Sequence, residues 1–132
     1  MQTLINKHLD RTYEEKQQDL NQNLQQQSIG VQLGTDGWKR KHVNEGQKLL
    51  NFIANYPDGG TAFLAFADTQ GAVMDHLEFL RIMKEQISSL AERLGSIEKV
   101  LGCITDREAS VQKAFRMLEA EYHWMVNLFC QV

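Results

Sequence analysis

Side chains that could do chemistry are few in this chain of 132 residues, and they are scattered along it. The four histidines are His8, His42, His76 and His123, and none has a thiol or carboxylate partner at the interval of a zinc finger. Glu119 lies one helical turn before His123, but a di-iron bundle would need that pair on two helices, together with two further glutamates. The pattern therefore predicts no metal site, and we interpret the pair as a surface ion pair.

Cys103 and Cys130 are the only thiols. No neighbouring side chain would activate either of them as a nucleophile. Both fall within or beside apolar segments, where cysteine behaves as a small buried hydrophobic residue. Two cysteines without a secretory leader ahead of them are typical of free thiols in a reducing compartment. We therefore expect two buried structural cysteines in a cytoplasmic protein.

Glycine-rich loops that bind phosphate groups are also missing. The stretch PDGGT at residues 57–61 lacks the Lys-Ser/Thr of a P-loop, and no G-x-G-x-x-G motif occurs. No serine stands in a G-x-S-x-G nucleophile elbow. The composition of residues 57–61 is typical of a turn. The sequence therefore predicts a chain without a cofactor and without catalytic activity.

The densest basic cluster lies at residues 38–41, beside a tryptophan. Three bases at the start of a helix oppose the helix dipole, which indicates that a ligand or an acid compensates them. A nucleic-acid footprint normally gathers more positive charge than this. Two interpretations stay open, a solvated helix start and a contact with a nucleic-acid backbone. The candidate contact residues are Trp38, Lys39, Arg40, Lys41 and Lys48.

The overall composition is that of one ordinary globular domain, with 42% hydrophobic and 23% charged residues. The formal net charge of −3 provides no global attraction to nucleic acid or to an anionic membrane. No stretch approaches the ~18 consecutive apolar residues of a membrane span. We therefore expect no membrane association.

The N-terminal half predicts two helices and a connecting segment. Residues 1–28 are rich in glutamine and carry one narrow apolar stripe, which favours a helix over a polar disordered tail. Residues 29–37 hold three glycines and are predicted as a linker or a short strand. Thr35 or Asp36 would cap a second helix, over 38–55. Residues 61–68 fit a helical turn or a short central strand, and we interpret them as helix.

The C-terminal region shows a heptad seam in which apolar residues recur at steps of three and four. Only Glu108 is polar along it, and TDRE at 105–108 would form a capping box. One long helix and a hairpin bent near 102–106 both fit this pattern. The seam comprises Ile87, Leu90, Leu94, Ile97, Leu101, Ile104, Glu108, Val111, Phe115, Leu118, Tyr122, Met125, Phe129 and Val132.

A second seam runs beside the first in the last helix, and two adjacent seams make its apolar face broad. Such a helix needs neighbours on two sides, as in the centre of a bundle or a dimer interface. We therefore predict that the chain self-associates or joins a larger complex through this face. The predicted interface residues are Phe115, Met117, Tyr122, Trp124 and Leu128.

The sequence thus predicts an all-α domain over residues 1–132, a small bundle of four or five helices with a long heptad-patterned C-terminal helical region. Its parts are a Gln-rich N-terminal helix (1–28), a linker (29–37) and a helical core (38–132). The predicted function is a non-catalytic protein-interaction module, such as an adaptor, a chaperone-like protein, or a regulatory or inhibitory subunit. The alternative is a small helical subunit of a nucleoprotein complex that contacts the nucleic-acid backbone through residues 38–41.

Overall fold

The computed structural model describes residues 4–27, 29–39, 48–68, 75–106 and 109–130, which contain three α-helices and five strands. The elements in order are α1 (Leu4–Gln25), β1 (Val31–Lys39), β2 (Lys48–Asn55), β3 (Thr61–Asp68), α2 (His76–Leu94), β4 (Val100–Asp106), α3 (Ala109–Glu121) and β5 (Leu128–Cys130). A 3₁₀ turn at Ile97–Lys99 leads into β4.

The five strands form one mixed sheet in the order β3-β2-β1-β4-β5. β1, β2 and β3 are antiparallel neighbours, as expected for strands that follow each other through short connections. β4 and β5 lie parallel to β1 on its other side. The parallel pairs need crossover connections, and α2 and α3 provide them. β1 is therefore the central strand, where the antiparallel and parallel halves of the sheet meet.

The all-α prediction is wrong, because this is an α/β fold with a five-stranded sheet. β1 begins within the segment 29–37 that was predicted as a linker. β2 lies within the predicted helix at 38–55, and β3 occupies residues 61–68, which were interpreted as helix. Leu50, Phe52 and Ala54 are buried while Ile53 between them is half-buried. A strand with apolar contacts on both faces shows no clear alternation, so its pattern resembles that of a buried helix.

The coiled-coil interpretation of the C-terminal region is also wrong, both as one long helix and as a helical hairpin. The seam passes through α2, the 3₁₀ turn, β4 and α3 in succession. α2 begins at the cap residue Asp75, whose side chain accepts a hydrogen bond from Glu78 N, and ends at Gly95 in the left-handed conformation. The apolar residues of the seam, spaced three and four apart, are positions in helices and in a strand rather than one face of a single helix.

The core lies between the helices and one face of the sheet. Alternate positions of the central strands are buried, including Leu33 in β1, Phe52 in β2 and Cys103 in β4. α2 and α3 cover them, and α1 adds Leu24. The buried residues of α2 and α3 that complete this layer are Phe79, Ile82, Met83, Ile87, Leu90, Leu94, Val111, Ala114, Phe115 and Leu118. The opposite face of the sheet, called the open face below, carries the intervening positions of each strand.

Candidate cation site on the open face

Two neighbouring parallel strands of the sheet, β1 and β4, each carry an aspartate. In the parallel β1–β4 pair, Gly34 lies beside Ile104. The paired register ends there; Asp36 and Asp106 each follow by two residues, and both line the same groove. Both strands point their carboxyl ends in the same direction there, and Asp106 is the last residue of β4. In open α/β sheets, ligands commonly bind outside the carboxyl ends of the parallel strands.

Both aspartates project from the open face. The residue that precedes each of them, Thr35 or Thr105, is directed toward the helices and is only 7% or 5% exposed. Because successive side chains of a strand point to opposite faces, Asp36 and Asp106 face away from that core. Asp36 is exposed and Asp106 is half-buried.

The same level of the sheet continues outward on both sides of the carboxylate pair. Asn51 of β2 pairs with Asp36, and Phe66 of β3 pairs with Asn51. On the other side, Cys130 of β5 pairs with Asp106. We call this set, Phe66-Asn51-Asp36-Asp106-Cys130, the carboxylate row. It crosses all five strands of the sheet.

A groove of about 450 Å³ opens over the row. Its floor includes Ile53, which lies against Gly34 so closely that a Cβ on that glycine would stand 2.8 Å from Ile53 Cγ1. Hydrophobic and polar groups therefore meet in one depression on the sheet. The lining residues are Gly34, Thr35, Asp36, Asn51, Ile53, Asn55, Ile104, Asp106 and Cys130.

Two carboxylates, those of Asp36 and Asp106, line the groove together with uncharged polar and apolar side chains. Within the described part of the chain, neither Asp36 nor Asp106 has a hydrogen-bond or ion-pair partner. The side-chain oxygen of Asn51 is buried in the same groove wall and also has no hydrogen-bond partner there.

The oxygen donors of this groove match a hard divalent cation such as Mg²⁺. This ion is commonly bound by one or two carboxylates and keeps several waters, with substrate phosphates completing the shell. Among the described residues there is no cluster of three or more His, Cys, Asp or Glu side chains that could form an all-protein cage. The groove offers two carboxylates, Asp36 and Asp106, and the amide of Asn51.

Part of the predicted basic cluster lies at the same end of β1 as the carboxylate row. Trp38 and Lys39 are the last residues of β1, and Lys39 pairs with Lys48, which begins β2. Arg40 and Lys41 lie outside the described residues. The structure thus pairs two basic residues, Lys39 and Lys48, three positions along the sheet from the Asp36–Asn51 pair. The helix start predicted for this segment is a strand end.

The predicted interface residues do not share one surface. Phe115 is buried in the core, where its ring stacks on Phe129 of β5. Met117, Trp124 and Leu128 are exposed. The remaining member, Tyr122, is half-buried, and its ring lies 5.6 Å from that of Trp124, whose indole nitrogen donates to Val100 O at 3.2 Å.

The two thiols have opposite environments. Cys103 is buried in β4, and desolvation raises the pKa of its thiol to about 12. Cys130 is exposed at the end of the carboxylate row. The prediction of a buried cysteine is therefore right for Cys103 and wrong for Cys130, because β5 is an edge strand.

Asp36 and Asp106 were not among the site residues predicted from the sequence, where Asp36 was a candidate helix cap and Asp106 lay within the capping box at 105–108. A signal was present. The segments GVQLGTD (30–36) and VLGCITD (100–106) are both mainly apolar, both contain β-branched residues, and both end in Thr-Asp. The repeated Thr-Asp places an acid on each of two strands that the fold makes neighbours.

Neither comparison with protein families nor comparison with curated proteins finds a match for this chain. In the described ranges, no helix has the length and apolar character needed to cross a membrane. The function is therefore argued from the groove and its surroundings.

Proposed function

We propose that this chain carries out divalent-cation-dependent phosphoryl transfer on a nucleic-acid backbone, with hydrolysis as the simplest case. The observation that carries the proposal is the groove on the open face, which is lined by both Asp36 of β1 and Asp106, the last residue of the parallel strand β4. Paired oxygen ligands in an accessible groove are the arrangement by which cations such as Mg²⁺ and Mn²⁺ are held against phosphate groups.

The two aspartates have the same role in this proposal, which is to hold the cation by one carboxylate each. The bound cation supplies Lewis-acid polarisation of a phosphoryl oxygen and lowers the pKa of a coordinated water. Asn51, paired with Asp36, offers an amide oxygen to the cation or its water shell. Ile53 and Ile104 form the apolar part of the groove lining.

We favour a nucleic-acid phosphate over an isolated small phosphate because the sequence continues past Asp36 into the basic residues Lys39, Arg40 and Lys41. Lys39 lies three residues beyond Asp36 in β1 and pairs with Lys48 of β2. This proposal keeps the nucleic-acid contact predicted for residues 38–41 but places Trp38 and Lys39 at the end of a strand instead of the start of a helix.

The protein-interaction hypothesis stays a prediction, restricted to the residues that are accessible. Met117, Trp124 and Leu128 are exposed and offer large apolar side chains, whereas Phe115 is committed to the core. Leu128 pairs with Ile104, which lines the groove, so docking there would lie next to the proposed site, whereas Met117 belongs to the helical layer. A reducing compartment such as the cytoplasm also remains part of the proposal, supported by the free thiol of the exposed Cys130.

Cation binding and cleavage test the proposal together. Isothermal titration with Mn²⁺ should show binding that Asp36→Asn and Asp106→Asn each weaken and that the double variant loses. Cleavage of a mixture of single-stranded and duplex oligonucleotides should require Mg²⁺ or Mn²⁺ and should disappear in the same variants. Glu92→Gln, which removes an exposed carboxylate from α2, is the matched control and should retain both properties.

Absence of Mn²⁺ binding at millimolar concentration would refute the cation site. Binding without cleavage of any nucleic acid would refute the proposed reaction and leave a cation-binding protein.

A further inference from the structure

We draw no further inference here: the strongest candidate, the exposed aromatic patch that Phe63 and Phe66 of the edge strand β3 form on the open face, carries nothing because nothing in the structure shows what covers it.

Discussion

The ring of Phe115 in α3 stacks on the ring of Phe129 in β5, with centroids 5.3 Å apart and 25° between the planes. Phe79 of α2 approaches Phe115 from the other side, at 6.4 Å. One side chain thus connects both crossover helices to the last strand. The helical layer depends on this contact to hold the parallel half of the sheet.

Replacing Phe115 by Ala should lower the free energy of unfolding by about 3–5 kcal/mol, because a fully buried ring leaves a cavity that the packed core cannot close. Trp124→Ala should cost less, about 1–2 kcal/mol, since it removes an exposed ring and one hydrogen bond to Val100 O. Denaturant unfolding monitored by far-UV circular dichroism measures both. Equal costs would show that Trp124 contributes to the core as much as Phe115 does.

Divalent cations should stabilise the folded chain through the carboxylate pair. Mn²⁺ or Mg²⁺ at about one hundred times its dissociation constant should add about 2.7 kcal/mol, because the unfolded chain does not hold the two aspartates together. Without cation, Asp36→Asn should melt at the same temperature as wild type or slightly higher, since like charges are no longer adjacent. Differential scanning fluorimetry with and without cation tests this. A cation-induced rise in Tm that survives in Asp36→Asn/Asp106→Asn would place the ion elsewhere.

The buried thiol of Cys103 should make the fold sensitive to alkaline pH. Its pKa is raised from 9.0 to about 12 in the folded chain, so between these values the unfolded chain has released a proton that the folded chain keeps. The stabilising contribution is therefore complete below pH 9 and is lost as the pH rises toward 12. Urea unfolding at pH 8, 9 and 10 should show a steeper decline for wild type than for Cys103→Ala. Cys130→Ala is the exposed control and should decline like wild type.

Gly102 should tolerate no side chain, because a Cβ there would collide with the carbonyl oxygen of Val126. This close approach accompanies the hydrogen bond from Val126 N to Leu101 O at 3.0 Å, which leads the chain into β5. Gly102→Ala should cost about 1–3 kcal/mol or more by forcing this segment away. Gly95→Ala, at a left-handed helix end with open space around it, should cost only about 1 kcal/mol. A smaller loss for Gly102→Ala than for Gly95→Ala would contradict the close packing of β5.

Local composition was sufficient for some elements of the fold. The turn that follows β2 lies where Pro57 and the two glycines predict it, with Tyr56 N bonded to Gly60 O at 2.8 Å. The periodic positions Phe115 and Leu118 are buried on an α-helix. These features depend on neighbours within a few residues, and short-range patterns report such neighbours directly.

The sheet was missed because β-strand pairing depends on residues distant in sequence. β2 has apolar residues on both faces, and β4 continues the spacing of the helix before it. In the sequence, β1 and β4 are separated by two other strands and a helix, so no short stretch of sequence contains both partners of this pairing. The candidate site inherits this difficulty, since Asp36 and Asp106 become neighbours only through that pairing. The repeated Thr-Asp was visible in the sequence, but its meaning required the register.

The parallel pairing of β1 with β4 has a kinetic consequence. Bringing together segments that are far apart in sequence costs loop-closure entropy before their contacts stabilise the chain. We therefore expect the parallel half of the sheet to form late, after the β1–β2–β3 meander. The carboxylates would then come together near the end of folding, when the transition state has passed. A bound cation would act on the native state alone, slowing unfolding while leaving the folding rate almost unchanged. The bound ion would thus stabilise the completed fold, and its release would be a first step in unfolding.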